Sequence, residues 1–535
     1  MHRFCLILCS IFLLTVGGFA ANNVTGQWIV VTAPEFRDCL APLEKHRRSE
    51  GMNVRIIQTT DVLTDKRIQD GEPAPLRDHV HEICRKCPGP VYLLLFGSVR
   101  ATNPERATDT VVPPLCGKTG RMKGRPTDNA YGCLSESMTP EIPVGRLPAR
   151  NKAEAKGMIE KIMRFERNDS PGPWNHRLFF AAGHPGGSSF FEKRLAEYLI
   201  QMVGRKSLRK VHPFWKASMI FHAQKSPFYV STDSLHETVK NHLRRGQIFS
   251  FYLGHSGTKG LFSDRIYFMK RPDWDSLKIS GTQGVFFTCG CHGCQLNGKF
   301  GQGYGLNAIR NPGGPAAVIG PSGESFGAMG QLAFEGMIKC LEKPEPPLRL
   351  GDYWNAVKKG IAEGEMSRGL YYLYDQADGS CGEIPMDVQR LTHLEMWMLL
   401  GDPAMKLPLP RPDISLESVK EASPGEEIIV KGELPPEFEN ASIKLTLERP
   451  LGWGASPADS VQGGGEESAE TLERANRFVL ASYNLKVKNG GFGHRISAPE
   501  TLPWPRLILR ACAANENRES MGVITIPVKT PSPAE

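Results

Sequence analysis

The chain reads IFSFYLGHSG at residues 248–257 and GVFFTCGCHG at residues 284–293. In both stretches a short apolar run ends near glycine, which is typical of a buried strand of a parallel sheet. Loops that follow the carboxyl ends of such strands meet at one edge of the sheet, where ligands bind. His255 and the cysteines of the second stretch are therefore expected at one edge, as a cysteine nucleophile and its base require.

The surrounding sequence alternates strand-like and helix-like segments in two successive halves, residues 27–150 and residues 151–410. This alternation predicts an α/β fold with a doubly wound, mostly parallel sheet in two subdomains. Residues 412–530 instead alternate apolar and polar residues over short runs between turn residues, which predicts an all-β sandwich. A long first helix is predicted over residues 36–50, closed by Gly51.

The helix predicted over residues 153–167 is assigned an exposed face that carries Glu154, Lys161 and Arg164. This assignment follows the usual rule that charged side chains of an amphipathic helix face solvent. A short helix is predicted over residues 304–310 and a strand over residues 316–320.

The composition is that of an ordinary globular protein of several domains. The 535 residues are 40% hydrophobic and 23% charged, and the net charge of +8 is spread along the chain. The basic clusters at residues 45–55 and 206–210 contain no interleaved aromatic residues for base stacking, so they are interpreted as solvated helix faces and no nucleic-acid partner is expected.

The first twenty residues have the pattern of a signal peptide. Residues 4–16 form an apolar core too short for a stable membrane span, and Gly18 and Ala20 are small residues at the positions that a signal peptidase reads. The mature protein is then expected to start at Ala21, to be exported to the periplasm or beyond the cell, and not to be an integral membrane protein. An uncleaved membrane anchor is the alternative.

Cysteine counting indicates an unpaired thiol. Two of the thirteen cysteines, Cys5 and Cys9, lie in the predicted signal peptide, which leaves eleven. An exported protein can form disulfides, so an odd number indicates at least one free thiol. The count does not say which cysteine is free.

Four motifs in order give the chain a family resemblance. They are WIVVTAPEF at residues 28–36, DNAYG at residues 128–132, IPVGRLP at residues 142–148 and LLGDPAM at residues 399–405. Together with the His and Cys stretches, they resemble the gingipain-type cysteine peptidases, family C25 of clan CD. The resemblance implies a caspase-like catalytic region in two parts, followed by an immunoglobulin-like sandwich.

The resemblance also implies roles for residues at the two strand ends. His255 would be the general base and acid, and Gly254 and Gly290 would lie close to the oxyanion. The nucleophile would be Cys291, because the family places a small residue directly before the nucleophile and Gly or Ser soon after it. Cys289 is the alternative, since it lies closer to the apolar run.

Specificity and ion binding are weakly encoded. Glu192 lies near the position at which gingipains hold an acidic residue in the pocket for the residue before the cut, where it would favour Arg or Lys. A solvent-facing helix glutamate is the simpler interpretation. No cofactor or metal is required. Calcium is expected only as an optional structural ion, to which Asp128 or Asp264 could contribute, although no ligand spacing supports a specific site.

These features predict an exported cysteine endopeptidase that acts on proteins or peptides through a Cys–His dyad and a thioester acyl-enzyme. A transpeptidase or sorting enzyme would use the same dyad and end the acyl-enzyme on an amine. A degenerate peptidase fold that only binds protein is the non-enzymatic alternative. The sequence does not separate hydrolysis from transpeptidation, and a disulfide-bonded loop of Cys289, Cys291 and Cys294 would favour the binding fold.

Overall fold

The structure, a computed structural model, describes residues 25–100, 108–168, 172–183, 190–223, 226–263, 266–279, 284–298, 301–377, 380, 382–454, 469–515 and 518–529; at residues 190–196 and 199 only the backbone is described. The predicted signal peptide at residues 1–20 lies outside these ranges. None of the helices in the described ranges is both long and apolar enough to cross a membrane.

The strands alternate with helices as far as residue 400 and dominate the chain after it. The strands are β1 Gly26–Thr32, β2 Met52–Gln58, β3 Val91–Phe96, β4 Leu115–Cys116, β5 Pro126–Thr127, β6 Val144–Leu147, β7 Arg177–Ala182, β8 Lys216–Phe221, β9 Phe249–Leu253, β10 His255–Gly257, β11 Gly260–Ser263, β12 Ile266–Lys270, β13 Val285–Thr288, β14 Ala317–Pro321, β15 Trp397–Leu400, β16 Ser415–Ser418, β17 Glu427–Glu433, β18 Ser442–Glu448, β19 Val479–Lys486, β20 Gly491–Ser497, β21 Arg506–Ala514 and β22 Glu519–Pro527.

The α-helices are α1 Ala41–Ser49, α2 Asp65–Asp70, α3 Ala74–Arg85, α4 Lys152–Arg167, α5 Phe190–Lys210, α6 Thr232–Arg244, α7 Arg271–Ser276, α8 Tyr304–Arg310, α9 Gly327–Leu341, α10 Leu350–Glu363, α11 Arg368–Ala377, α12 Met386–Met396 and α13 Ala469–Asn476. Most of the long helices are amphipathic, and their apolar faces pack against the sheet or against a neighbouring helix. Helix α9 is an exception, because it is buried along most of its length.

Ten strands form one continuous sheet in the order β2-β1-β3-β6-β15-β14-β13-β9-β7-β8. Within each half of the sheet the strands are parallel, which confirms the predicted mostly parallel α/β fold. β15 joins the halves, because it is parallel to β6 and antiparallel to β14. The two halves therefore run in opposite directions, and the carboxyl ends of β9, β13 and β14 lie at the edge where β6 and β15 begin.

The central strands are apolar because helices cover both faces of the sheet. β1, β13 and β14 are buried along their whole lengths, and β3 is buried from Tyr92 onwards. A strand buried on both faces needs a continuous apolar run instead of an alternating one, and this is the pattern that made these strands recognisable in the sequence.

Two helix predictions need correction. Residues 36–50 do not form one helix, because a 3-10 helix, Pro34–Leu40, precedes α1. Lys161 of α4 is not on an exposed face. It is fully buried, and its ammonium group donates to the carbonyl oxygens of Ile309 (2.6 Å) and Asn311 (2.8 Å) at the end of α8. A buried cation is tolerated there because backbone acceptors surround it.

After residue 410 the chain forms two antiparallel sheets, β16-β17-β20 and β19-β18-β21-β22. The alternating pattern of β17 buries Ile428 and Val430 and exposes the residues between them. These side chains pack in a second apolar core with Leu445 and Leu509 of the other sheet. The predicted all-β region is thus observed as two packed sheets.

Candidate active site

The two strands of the opening sequence are neighbours in the sheet. β9 and β13 run parallel, with Tyr252 opposite Thr288 at their carboxyl ends. The chain continues from β9 into His255 and from β13 into Cys289. The predicted meeting of the histidine loop and the cysteine loop at one sheet edge is therefore observed.

His255 is exposed at the start of a small antiparallel sheet, β10-β11-β12, that the sequence did not predict. Its ring lies nearly parallel to that of Phe262 on β11, with 6.2 Å between the centroids. The buried hydroxyl of Tyr252 lies 2.8 Å from both the His255 and the Phe262 carbonyl oxygens. This hydroxyl fixes the bend between β9 and β10 and so orients the histidine backbone.

The histidine loop and the cysteine loop are packed directly against each other at Ser256. The Ser256 hydroxyl donates to the carbonyl oxygen of Cys291 (2.6 Å). Gly290 lies so close that a Cβ built on it would be 2.2 Å from Ser256 Oγ and 2.7 Å from Ser256 Cβ. Only glycine fits at position 290, and the two loops are held at a fixed separation.

The Cys291 thiol has a polar surrounding. The backbone N–H of Ser325, in the loop after β14, donates to Cys291 Sγ at 3.3 Å. The pKa of this thiol is raised, mainly by burial and further by the charge of Glu324, whereas the Ser325 N–H and the positive charge of Arg121 act to lower it. A hydrogen bond and a cation that favour the thiolate are what a cysteine nucleophile needs.

Cys289 and Cys294 have different surroundings. The Cys289 thiol points towards helix α9, where it donates to the carbonyl oxygen of Gly330 at 3.6 Å, and burial raises its pKa. Cys294 is fully buried in the main core, and burial raises its pKa as well. Each of the ten cysteines that the structure describes is a free thiol.

The two glycines predicted near the oxyanion lie on either side of this junction. The N–H of Gly290 donates to Thr288 Oγ1 (3.1 Å), so it would have to leave that partner to bind an oxyanion. Gly254 has a φ of 153°, and a Cβ on it would lie 2.8 Å from the Tyr252 hydroxyl. Glycine is thus required at position 254 by close packing of its own strand end.

The remaining predicted residues lie away from this junction or outside the described residues. Glu192 is in the first turn of α5, where the side chain is not described. Asp264 also lies outside the described ranges. The role of Glu192 stays a prediction, and the sequence assigns no third catalytic group.

Sequence reasoning missed four residues that surround Cys291. Ser325 supplies the N–H to its thiol, and Glu324 and Phe326 flank Ser325 in the same loop. Arg121 comes from the long connection between β3 and β6 and lies over the Phe326 ring, with 4.0 Å between the guanidinium carbon and the ring centroid. No pattern in the sequence signals this contact, because about two hundred residues separate Arg121 from the loop.

Carboxylates that could bind a cation are engaged in ion pairs. Both oxygens of Asp128 accept from the buried Arg146, at 2.7 Å each. His46, Glu50 and Glu166 offer ligand atoms within 4.8 Å of one another, but Arg47 pairs with both glutamates. Arg47 balances the charge of these two glutamates without a bound cation. A structural calcium ion stays an expectation.

Comparisons with known proteins give one family and several structural neighbours. The model of the family described as "Peptidase family C25" matches residues 22–408. A comparison with curated proteins gives no match.

Three solved structures cover almost the whole chain at low sequence identity. The Arg-specific cysteine proteinase gingipain R aligns at 15% identity and a TM-score of 0.50, over 94% of this chain and 98% of its own. A structure described only as a protease aligns at 13% identity and a TM-score of 0.51, over 95% and 98%. The complex of the pro- and mature domains of Porphyromonas gingivalis RgpB aligns at 14% identity and a TM-score of 0.49, over 94% and 100%. At identities of 13% and 15%, the two alignments with TM-scores of 0.51 and 0.50 show a shared fold and nothing more.

Proposed function

The chain belongs to peptidase family C25, and from this membership we propose that it is an exported cysteine endopeptidase with a dyad of Cys291 and His255. The observation that carries the proposal is the junction between the two loops. Ser256 bonds the Cys291 carbonyl, Gly290 leaves no space between the loops, and the Ser325 N–H reaches the Cys291 thiol. Such a junction holds a nucleophile and a base in a constant geometry, which catalysis requires.

The surroundings of the two thiols favour Cys291 over Cys289 as the nucleophile. The Cys291 thiol accepts a backbone hydrogen bond and is close to the charge of Arg121, and both favour the thiolate. The Cys289 thiol instead donates to a carbonyl oxygen, an interaction that favours the protonated form.

In this proposal His255 accepts the thiol proton of Cys291, and the thiolate attacks the carbonyl carbon of a peptide bond. Backbone N–H groups at the strand ends hold the oxyanion. The C–N bond then breaks, His255 gives its proton to the leaving amine, and a thioester remains on Cys291. Water, losing a proton to His255, hydrolyses the thioester and regenerates the thiol.

Alkylation with iodoacetamide and cleavage of a mixed peptide pool test the dyad. Cys291→Ala should abolish both fast labelling and cleavage, whereas Cys289→Ala should reduce them only through packing. His255→Ala removes the group that stabilises the thiolate, so labelling near pH 6 should fall at least about tenfold. The opposite pattern for the two cysteines would move the nucleophile to Cys289. If none of the three substitutions changes labelling or cleavage, an enzymatic function is contradicted.

The same proposal assigns residues 27–150 and 151–410 to the two catalytic subdomains and residues 412–530 to an immunoglobulin-like domain. It includes removal of residues 1–20 during export, because small residues stand at the expected cut. N-terminal sequencing of the protein released from cells should begin at Ala21. A protein that still begins at Met1 and stays in the membrane fraction would contradict export.

A further inference from the structure

Arg121 is a cation that a rigid backbone places against the loop whose Ser325 N–H contacts the proposed nucleophile. It lies in the 3-10 helix Gly120–Met122, and Gly120 approaches α12 so closely that a Cβ would be 2.2 Å from Thr392 Oγ1. The preceding N–H groups of Lys118 and Thr119 both donate to the buried carboxylate of Glu395 (2.8–3.0 Å). The position of the Arg121 backbone is therefore fixed.

A single three-residue loop links Arg121 to the Cys291 thiol. Within it, Glu324 faces the guanidinium, the Ser325 N–H reaches Cys291 Sγ, and the Phe326 ring lies under the guanidinium. Phe326 is fully buried, and its own N–H donates to the ring of His393 (2.8 Å). An immobile ring that stacks on the face of the guanidinium leaves its in-plane N–H donors available.

Arg121 has only a loose partner among the described residues. Its closest carboxylate oxygen belongs to Glu324 and lies 3.9 Å away, beyond hydrogen-bonding distance. The Glu324 side chain is 61% exposed, whereas that of Arg121 is 21% exposed. An ion pair this long, with one well exposed partner, contributes little and is readily exchanged for another carboxylate.

We infer that Arg121 is a specificity residue that binds a carboxylate of the substrate next to the bond that is cut, so that the preferred substrates are acidic peptides with Asp or Glu beside that bond. The substrate carboxylate replaces Glu324 and takes a bidentate pair with the guanidinium. This inference rests on the proposed function, because it takes Cys291 as the attacking group.

Two alkylating reagents of nearly equal size test the inference without any peptide. In both, the Cys291 sulfur displaces iodide from a CH₂ group, but iodoacetate carries a carboxylate and iodoacetamide is neutral. The measured quantity is the rate ratio of iodoacetate to iodoacetamide, divided by the same ratio for free cysteine. A guanidinium about 4 Å from the reagent carboxylate should raise this quantity about fivefold. It should fall to about one in Arg121→Gln, be partly kept in Arg121→Lys, and decrease with added salt.

Two further variants complete the test. Lys123→Gln removes an exposed cation that directly follows the 3-10 helix of Arg121, and it should leave the rate ratio unchanged. Glu324→Gln removes the competing carboxylate and should raise the rate ratio. If Arg121→Gln lowers the iodoacetate and iodoacetamide rates by the same factor, the inference is overturned. If Arg121→Gln does not fold, Glu324→Gln decides, and an unchanged rate ratio in that variant overturns the inference. If Cys291 reacts with neither reagent, the proposed function fails and this inference fails with it.

A peptide assay extends the test to substrates. Peptides that carry Glu, Gln or Lys on either side of one cut site should be cleaved fastest with Glu. In Arg121→Gln, kcat/KM for the Glu peptide should become equal to that for the Gln peptide, and the loss specific to the Glu peptide should appear mainly in KM. Both peptides should also be cleaved more slowly by one common factor, because the Cys291 thiolate loses the charge of Arg121. Equal cleavage of the Glu and Gln peptides by the unmodified protein would overturn the inference and leave the peptidase function standing.

Discussion

His393 is a buried histidine that supports the loop beside Cys291. The Phe326 N–H points at Nε2 (2.8 Å) and the Trp397 indole N–H at Nδ1 (3.1 Å). Burial, aided by the nearby charges of Arg121 and Lys358, lowers the pKa of His393 to about 3. A neutral imidazole accepts at only one of its two nitrogens, so it accepts from one of these two N–H groups. An imidazolium has no acceptor, so protonation would break that hydrogen bond.

This histidine should make stability fall in acid. Below about pH 6.5 the unfolded chain binds a proton at His393 that the folded chain does not bind until about pH 3. The free energy of unfolding should therefore decrease as the pH falls through this window, by about 1.4 kcal/mol per pH unit from this group. Urea unfolding from pH 7 to 4 measures the free energy of unfolding of the protein and of His393→Gln. This free energy should fall more steeply with decreasing pH in the unmodified protein than in the variant. Equal slopes would contradict the lowered pKa of His393.

Gly290 is expected to be the least replaceable glycine of the cysteine loop. Gly290→Ala places a methyl group against Ser256 Oγ and Cβ and should force the two loops apart, slowing iodoacetamide labelling of Cys291 at least about tenfold. In Ser256→Gly with Gly290→Ala, the closest remaining contact of that methyl is the Gly254 carbonyl oxygen at 3.2 Å, so much of the rate should return. A double variant as slow as Gly290→Ala would show that the clash is not the cause.

At the scale of elements, helices α9 and α10 pack closely through facing glycines. A Cβ on Gly336 would lie 2.3 Å from the Ala356 carbonyl oxygen, and one on Gly360 would lie 2.5 Å from that of Leu332. α9 also carries Gly330, whose carbonyl oxygen accepts from Cys289. The packing of this helix pair therefore reaches the cysteine loop.

Gly336→Ala should push the two helices apart and lower the free energy of unfolding by about 2–3 kcal/mol. Gly204→Ala is the matched control, because Gly204 lies inside α5 and its added Cβ would meet no atom within 4 Å. That change should raise stability by about 0.5–1 kcal/mol, since alanine loses less backbone entropy in a helix. Denaturant unfolding of both variants measures the difference, and equal effects would argue against close helix packing.

In the molecule as a whole, the C-terminal region covers an edge of the large sheet through the end of helix α13. β8 is the edge strand, and the Asn476 side chain accepts from the Met219 N–H (2.6 Å) and donates to its carbonyl oxygen (2.9 Å). Asn476 thus occupies hydrogen-bonding groups that another strand would otherwise pair with.

A buried ion pair strengthens the same interface. Arg510 on β21 pairs with Glu448 on β18 (3.0 Å) and donates to the carbonyl oxygens of Pro213 and Phe214, both at 2.7 Å. Burial alone would raise the pKa of Glu448, but Arg510 and Lys216 lower it. Arg510 and Glu448 of the C-terminal sheets therefore both have partners in the α/β region, which are two carbonyl oxygens and Lys216.

Arg510→Met should lower the free energy of unfolding by about 3–5 kcal/mol, because it leaves Glu448 and two carbonyl oxygens without this donor. A chain that ends at Pro410 should also lose stability and aggregate through the uncovered β8. In Arg510→Met that remains folded, iodoacetamide labelling of Cys291 should be unchanged, since no group of the C-terminal sheets is placed at the junction. If folded Arg510→Met protein is not labelled at Cys291, the C-terminal sheets contribute to the site as well as to stability.

The α/β class, the family and the sheet edge at which the histidine loop meets the cysteine loop could all be predicted from the sequence. These features follow from local information, because a strand buried on both faces must be a continuous apolar run and parallel strands align their carboxyl ends. The helix predicted over residues 304–310 is observed with the same bounds as α8. The strand predicted over residues 316–320 is displaced by only one residue in β14.

The distant groups near the thiol could not be predicted from the sequence. The Ser325 N–H reaches Cys291 from the loop after β14, and Arg121 comes from another connection to lie over the ring of the adjacent Phe326. Lys161 is buried because the end of α8 offers it two carbonyl oxygens. The sheet halves run in opposite directions because β15 pairs with β14 in the antiparallel sense. Such contacts leave no periodic pattern in the sequence, since each depends on a partner far along the chain whose position is set by packing of the whole fold.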